Sequence, residues 1–159
     1  MYGIGGIALR SNLFFGLFKS KKKKTVALRI LLIEDNALDR VFIENVLRKA
    51  YFEVVTAENG RDGVELAMQN NWDLVILDYF LPDANGTEIC RMLRENAGTK
   101  NIPVVFLTVA QDGYTLLECY EAGAHLFLNK PINAGELIGQ VRLALKNKQE
   151  ELENDDQFF

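Results

Sequence analysis

From Leu28 onward the chain alternates short apolar runs with segments whose apolar residues recur every three or four positions. The first run, LRILLI at 28–33, stops at the acidic pair Glu34-Asp35. Leu38, Phe42 and Val46 then repeat at four-residue spacing, which predicts a helix over about 38–49. EVVTA reads as a short strand, and a less regular helix at 61–70 carries Val64, Leu66 and Ala67. DLVILD is a second fully apolar strand, ending on Asp78, and a helix with Ile89, Met92 and Leu93 follows Gly86. IPVVFLT is the next strand, Leu116, Leu117 and Tyr120 mark another helix, and HLFLN is the last strand. Leu137, Val141 and Leu145 stack on a closing helix of about 134–148.

Strands that are apolar on both faces, each followed by a helix, predict an α/β fold with a parallel sheet covered on both sides. Right-handed crossovers restrict five such strands to a few doubly wound orders. No internal repeat interrupts the pattern.

Length and composition agree with one soluble domain: 159 residues, 48% hydrophobic and 25% charged. Charge changes the picture at the ends. Residues 1–24 hold six basic side chains and no acid, which leaves 12 basic against 22 acidic residues beyond them. An acidic body repels phosphate backbones, so no direct nucleic-acid binding is expected. The two cysteines, Cys90 and Cys119, lack zinc spacing and read as reduced thiols, which favours a cytoplasmic setting. A single histidine, His125, cannot build a histidine-rich metal site.

Three segments are expected: an extension at 1–24, a domain at 25–148 and an acidic tail at 149–159. No run reaches the roughly 18 apolar residues of a membrane span. Leu13, Phe14, Phe15, Leu17 and Phe18 beside five lysines offer a membrane-surface contact, but a disordered extension is the favoured reading. The tail, with five acids, is expected to fray.

In open α/β sheets ligands sit beyond the carboxyl ends of the strands, where the strand order reverses. Glu34-Asp35 follow the first strand and Asp78 ends the third; if those strands are neighbours, three carboxylates share one crevice. Mutual repulsion raises at least one of their pKa values unless a cation relieves it. All available ligands are oxygens, which suits a hard ion such as Mg²⁺. Thr108 at the end of the fourth strand and Lys130 after the fifth add a hydroxyl and an ammonium. A metal, a carboxylate nucleophile, a donor and a fixed positive charge are what phosphoryl transfer to a carboxylate requires. Each element alone is weak; an Asp-rich loop is usually a solvated turn, and a strand-end Thr more often satisfies backbone.

Taken together, ILLIED, LVILDYFLPDANG, IPVVFLT and AGAHLFLNKPI resemble the response-regulator receiver domain, the CheY-like family of two-component signalling, over about residues 27–148. Within LVILDYFLPDANG the Asp is followed four residues later by Pro and eight later by Gly. The resemblance implies a flavodoxin-like sheet of order 2-1-3-4-5 with five helices. It implies that Asp78 accepts a phosphoryl group from a histidine kinase or phosphotransfer protein. Asp35 and Asp78 would bind Mg²⁺ directly, Glu34 through water, and Phe80 through its backbone carbonyl. Lys130 would pair with phosphorylated Asp78, Thr108 would move toward the phosphoryl group, and Phe127 would be the aromatic switch. A cis Lys130–Pro131 bond is also implied. For Phe127, plain core packing fits the sequence equally well.

Eleven residues follow Lys148, too few for an output domain, so a stand-alone receiver acting on a separate protein target is expected. Whether the phosphorylated form makes a homodimer stays open, as do the cognate kinase and the target. The chain is expected to signal rather than to act as an enzyme, apart from self-catalysed aspartyl phosphorylation and dephosphorylation. Phe80 and Val109 are bulkier than the residues common at these positions, which implies slow exchange at Asp78. His125, where an acid is frequent, is expected to be a surface residue without a role. A haloacid-dehalogenase-type hydrolase would need a second acid at Phe80, and a mononucleotide binder would need a Gly-rich loop where EDNALD stands. A receiver-shaped interaction module that is not phosphorylated is the surviving alternative.

Overall fold

The computed structural model describes residues 27–109 and 112–155, with side chains to residue 150. The elements run β1 (Arg29–Ile33), α1 (Ala37–Lys49), β2 (Glu53–Ala57), α2 (Gly60–Gln69), β3 (Leu74–Asp78), α3 (Gly86–Glu95), β4 (Val104–Thr108), α4 (Gly113–Glu121), β5 (Leu126–Asn129) and α5 (Ala134–Asp155). The five strands form one parallel sheet of order β2-β1-β3-β4-β5. This is the flavodoxin-like doubly wound arrangement expected from the resemblance.

Each face of the sheet carries its own core. Leu31, Ile33, Val75, Leu77, Val104 and Phe106 face α2, α3 and α4, where Ala67, Ile89, Leu93 and Cys119 meet them. Ile30, Leu32, Leu74, Ile76, Val105 and Leu107 face α1 and α5, against Ile43, Leu47, Leu137 and Val141. Every residue of β3 and β4 is buried, as strands covered on both sides require. Both cysteines are buried and unbridged.

Three helices differ from the sequence reading. The Leu38-Phe42-Val46 stripe does announce α1, yet Leu38 is 82% exposed and the buried residues are Ile43 and Leu47. Likewise α4 buries Cys119 and leaves Leu117 and Tyr120 outside. The backbone of α5 continues to Asp155 instead of ending near 148. Lys, Gln, Glu and Leu are good helix formers, and a Lys146–Glu150 pair at 3.3 Å spans one turn of the extension. The readings for residues 1–24, and for the tail beyond 155, lie outside the described residues. Among the described residues no helix is long and apolar enough to cross a membrane.

Candidate phosphoryl-transfer site

Parallel strands of matched register bring their carboxyl ends to one edge, so residues following different strands become neighbours. Ile33 pairs with Leu77, Asp78 with Leu107, and Thr108 with Asn129. That places Glu34, Asp35, Asp78, Thr108 and Lys130 side by side along the edge. Backbone bonds continue the ladder past the strands, with Glu34 N–H on the Ala57 carbonyl (3.0 Å) and Lys130 N–H on Thr108 (2.9 Å).

Glu34, Asp35 and Asp78 each offer an oxygen within 4.8 Å of the other two. Glu34, Asp78 and Thr108 are buried, whereas Asp35 is exposed. The Lys130 ammonium lies 2.8 Å from Glu34 Oε2, 3.0 Å from Asp78 Oδ2 and 3.2 Å from Asp39 Oδ2. Burial pushes the Glu34 carboxyl up to about 7; Lys130 opposes the rise and Asp78 adds to it. Burial also pulls Lys130 downward, but Glu34 and Asp78 outweigh it and hold the ammonium above the usual lysine range.

These groups fit a hard divalent ion. Glu34 Oε2 is buried and lacks an aligned hydrogen bond, although it meets the Lys130 charge. Ligands of an octahedral Mg²⁺ stand about 3 Å apart when adjacent and about 4.2 Å when opposite, so oxygens within 4.8 Å of one another can close on one ion with small side-chain shifts.

The loop that carries the acids is held by residues the sequence reading passed over. Asn36 N–H donates to Glu34 Oε1 at 3.0 Å, and Asn36 Oδ1 caps α1 by accepting from Leu38 and Asp39. The Arg40 guanidinium donates to the carbonyls of Glu34 and Asp35, both at 2.9 Å, while pairing with Glu58 at 2.8 Å. Asp39, in the first turn of α1, is a third carboxylate at Lys130, after Glu34 and Asp78. Its only sequence signal was an acid in the first turn of a helix that leaves the crevice. Gly86 is required by close approach: a Cβ there would run into the Asp78 carbonyl and lie 2.9 Å from the Phe106 ring.

Phe80 projects its ring outward, with its backbone bridged to Asn85, and Val109 is likewise exposed. Phe127 is half-buried and packs on the core. The Lys130–Pro131 bond is cis. His125 is exposed but engaged: Val104 N–H donates to its Nδ1 at 3.2 Å, and Arg94 Nη2 lies 3.3 Å away.

The strand order alone places the chain among the flavodoxin-like doubly wound proteins. Residues 30–142 match the response regulator receiver domain, and the chain belongs to that family. It is similar to Histidine kinase P4 of Formosa agariphila, 37% identical over 132 residues that cover 83% of this chain and 9% of that protein. It is also similar to Response regulator ArlR of Staphylococcus saprophyticus, 34% identical over 120 residues, 76% of this chain and 53% of ArlR. The chain thus spans about half the length of ArlR and less of the kinase. A solved relative is the receiver domain of sensor histidine kinase PA1611 from Pseudomonas aeruginosa, which has a magnesium ion coordinated in its active site cleft. The two structures match with a TM-score of 0.72 at 26% identity, over 76% of this chain and 99% of that one. Receiver domains are signalling modules of two-component systems, not conventional enzymes.

Proposed function

We propose that Asp78 accepts a phosphoryl group from a histidine kinase or phosphotransfer protein in a Mg²⁺-dependent reaction. The observation that carries this reading is a buried Asp78 carboxylate with the Lys130 ammonium at 3.0 Å and two further acids within 4.8 Å. An Asp78 oxygen attacks phosphorus as the P–N bond of a phosphohistidine breaks, and the leaving imidazole takes up a proton. Hydrolysis returns inorganic phosphate and the free carboxylate. Glu34, Asp35, Asp78 and the Phe80 carbonyl would hold the ion, which when bound neutralises charge on the phosphoryl oxygens.

Lys130 already faces Asp78, so its ammonium is placed to pair with the phosphoryl group without rebuilding the site. Thr108 would donate its hydroxyl to the same group, drawing the following segment inward. Phe127, half-buried on β5, would then change place, and the α4–β5–α5 face would present a different surface to the target protein. The two reduced, buried cysteines agree with a cytoplasmic setting.

Phos-tag electrophoresis after acetyl phosphate treatment tests this reading. A shifted band is expected in wild type with Mg²⁺, lost on chelation and lost in Asp78→Ala. No shift in either protein favours an interaction module that is not phosphorylated.

A further inference from the structure

Tyr79, the residue bonded to Asp78, reaches away from the crevice to α4. Its hydroxyl donates to Glu118 Oε2 at 2.9 Å, in a partly buried contact between residues 39 positions apart. The base of the side chain is fixed on both sides: Tyr79 N–H donates to the Leu107 carbonyl at 2.9 Å, and its carbonyl accepts from Gly86 at 2.8 Å. The ring is buried, and Phe80 stacks edge-on at 4.7 Å. The hydroxyl, which the Asn85 side chain also reaches, is thus held in place, and α4 comes to it.

That helix has little else to hold it. Of its nine residues only Cys119 is buried, fewer than in any other helix. Tyr114, Leu117 and Tyr120 are 74%, 53% and 69% exposed. Elements with few buried contacts are those that open and shift most readily. A hydrogen bond to a carboxylate is about twice as strong as a neutral one, so this single contact weighs heavily in where α4 rests.

We propose that the Tyr79–Glu118 hydrogen bond is a latch that holds α4 in its unphosphorylated position and opens when Asp78 is phosphorylated. This rests on the phosphoacceptor reading above. Only residues 109–112 separate Thr108 from α4 in the chain, so movement of Thr108 has a short path to the helix that carries Glu118. A contact made in only one of two states biases the protein toward that state. A contact that favours the unphosphorylated arrangement opposes the phosphorylated one, so removing it should make Asp78 easier to modify.

Tyr79→Phe removes the hydroxyl and keeps the ring; Glu118→Ala removes the acceptor; Glu118→Gln keeps a carbonyl in its place. The readouts are the rate of acetyl phosphate modification at limiting donor and amide hydrogen exchange of α4 in unphosphorylated protein, with thermal melts to confirm folding. Tyr79→Phe and Glu118→Ala should each react on the order of three- to tenfold faster, with faster exchange in α4. Glu118→Gln, which keeps a weaker neutral acceptor, should fall between wild type and Glu118→Ala, and the double variant should be no faster than the faster single one. Faster exchange in α4 with an unchanged phosphorylation rate, or no change in either, overturns the latch. Failure of wild type to become phosphorylated would instead remove the phosphoacceptor reading and the latch with it. Equal rates in wild type and variants remove the latch alone.

Discussion

The Asp83 carboxylate, on the loop after β3, accepts the backbone N–H groups of Gly60 and Arg61 at 2.7 and 2.9 Å. It therefore caps α2 from a distant part of the chain and ties the two crossovers on that side of the sheet. These backbone hydrogen bonds, Gly60 first, hold the Asp83 carboxyl below the usual carboxylate range. Asp83→Ala should cost about 1 kcal/mol in urea unfolding at pH 7. A depressed native pKa means the stabilisation is present above the unfolded value of 3.8 and is lost as pH falls through the lower native one. Wild type and variant should converge as pH falls below the native value; a constant difference at all pH values would contradict the capping role.

Glu34 works in the opposite sense. Its native pKa of about 7 exceeds the unfolded value of 4.5, so the folded state keeps a proton that the unfolded chain releases. Stability from this group is fully present below 4.5 and falls as pH rises toward 7, by about 3 kcal/mol in total. In chelator, urea melts should show that slope, and Glu34→Gln should flatten it. Ion binding favours the deprotonated acid, so apparent Mg²⁺ affinity should rise from pH 6 to pH 8 by calorimetry.

Gly86→Ala drives a methyl into the Asp78 carbonyl and the Phe106 ring, and backbone gives way poorly. A loss of about 2–3 kcal/mol is expected in denaturant unfolding. Because the displaced atom belongs to the proposed phosphoacceptor residue, acetyl phosphate modification should slow as well. A variant of normal stability and rate would show that the close approach matters to neither.

Phe80 and Val109 are exposed apolar groups shortly after Asp78 and Thr108, and apolar bulk there is expected to hinder water attacking a phosphorylated Asp78. A phosphoprotein lifetime of minutes or longer is expected in Mg²⁺. Phe80→Asn with Val109→Ala should shorten it by roughly three- to tenfold. Decay of the Phos-tag band measures both; a wild-type half-life of seconds would refute the shielding.

The acids, Thr108 and Lys130 were legible because each closes or follows an apolar run, and parallel strands end at one edge. Strand order needed the resemblance, since apolar runs do not state their neighbours. On α1 the four-residue spacing revealed a helix but not its inner face. Ile43 and Leu47 form a second stripe one position over, and only the sheet decides between the two. Pairs such as Asp39–Lys130 and Tyr79–Glu118 left no signal, because they join residues through the fold and not through any periodicity. Arg94 is similar. Its guanidinium meets the carbonyls of Lys100, Ile102 and Gly123, so nothing in the charge pattern announced a partner.

β3 is buried along its whole length and hydrogen-bonded to a strand on either side. Its amides should exchange only when the entire molecule unfolds. On the proposed function, a group esterified at its tip would keep the same seat through every round of modification and release. Whatever motion carries the message must begin in the crossovers, while the floor beneath them stays still.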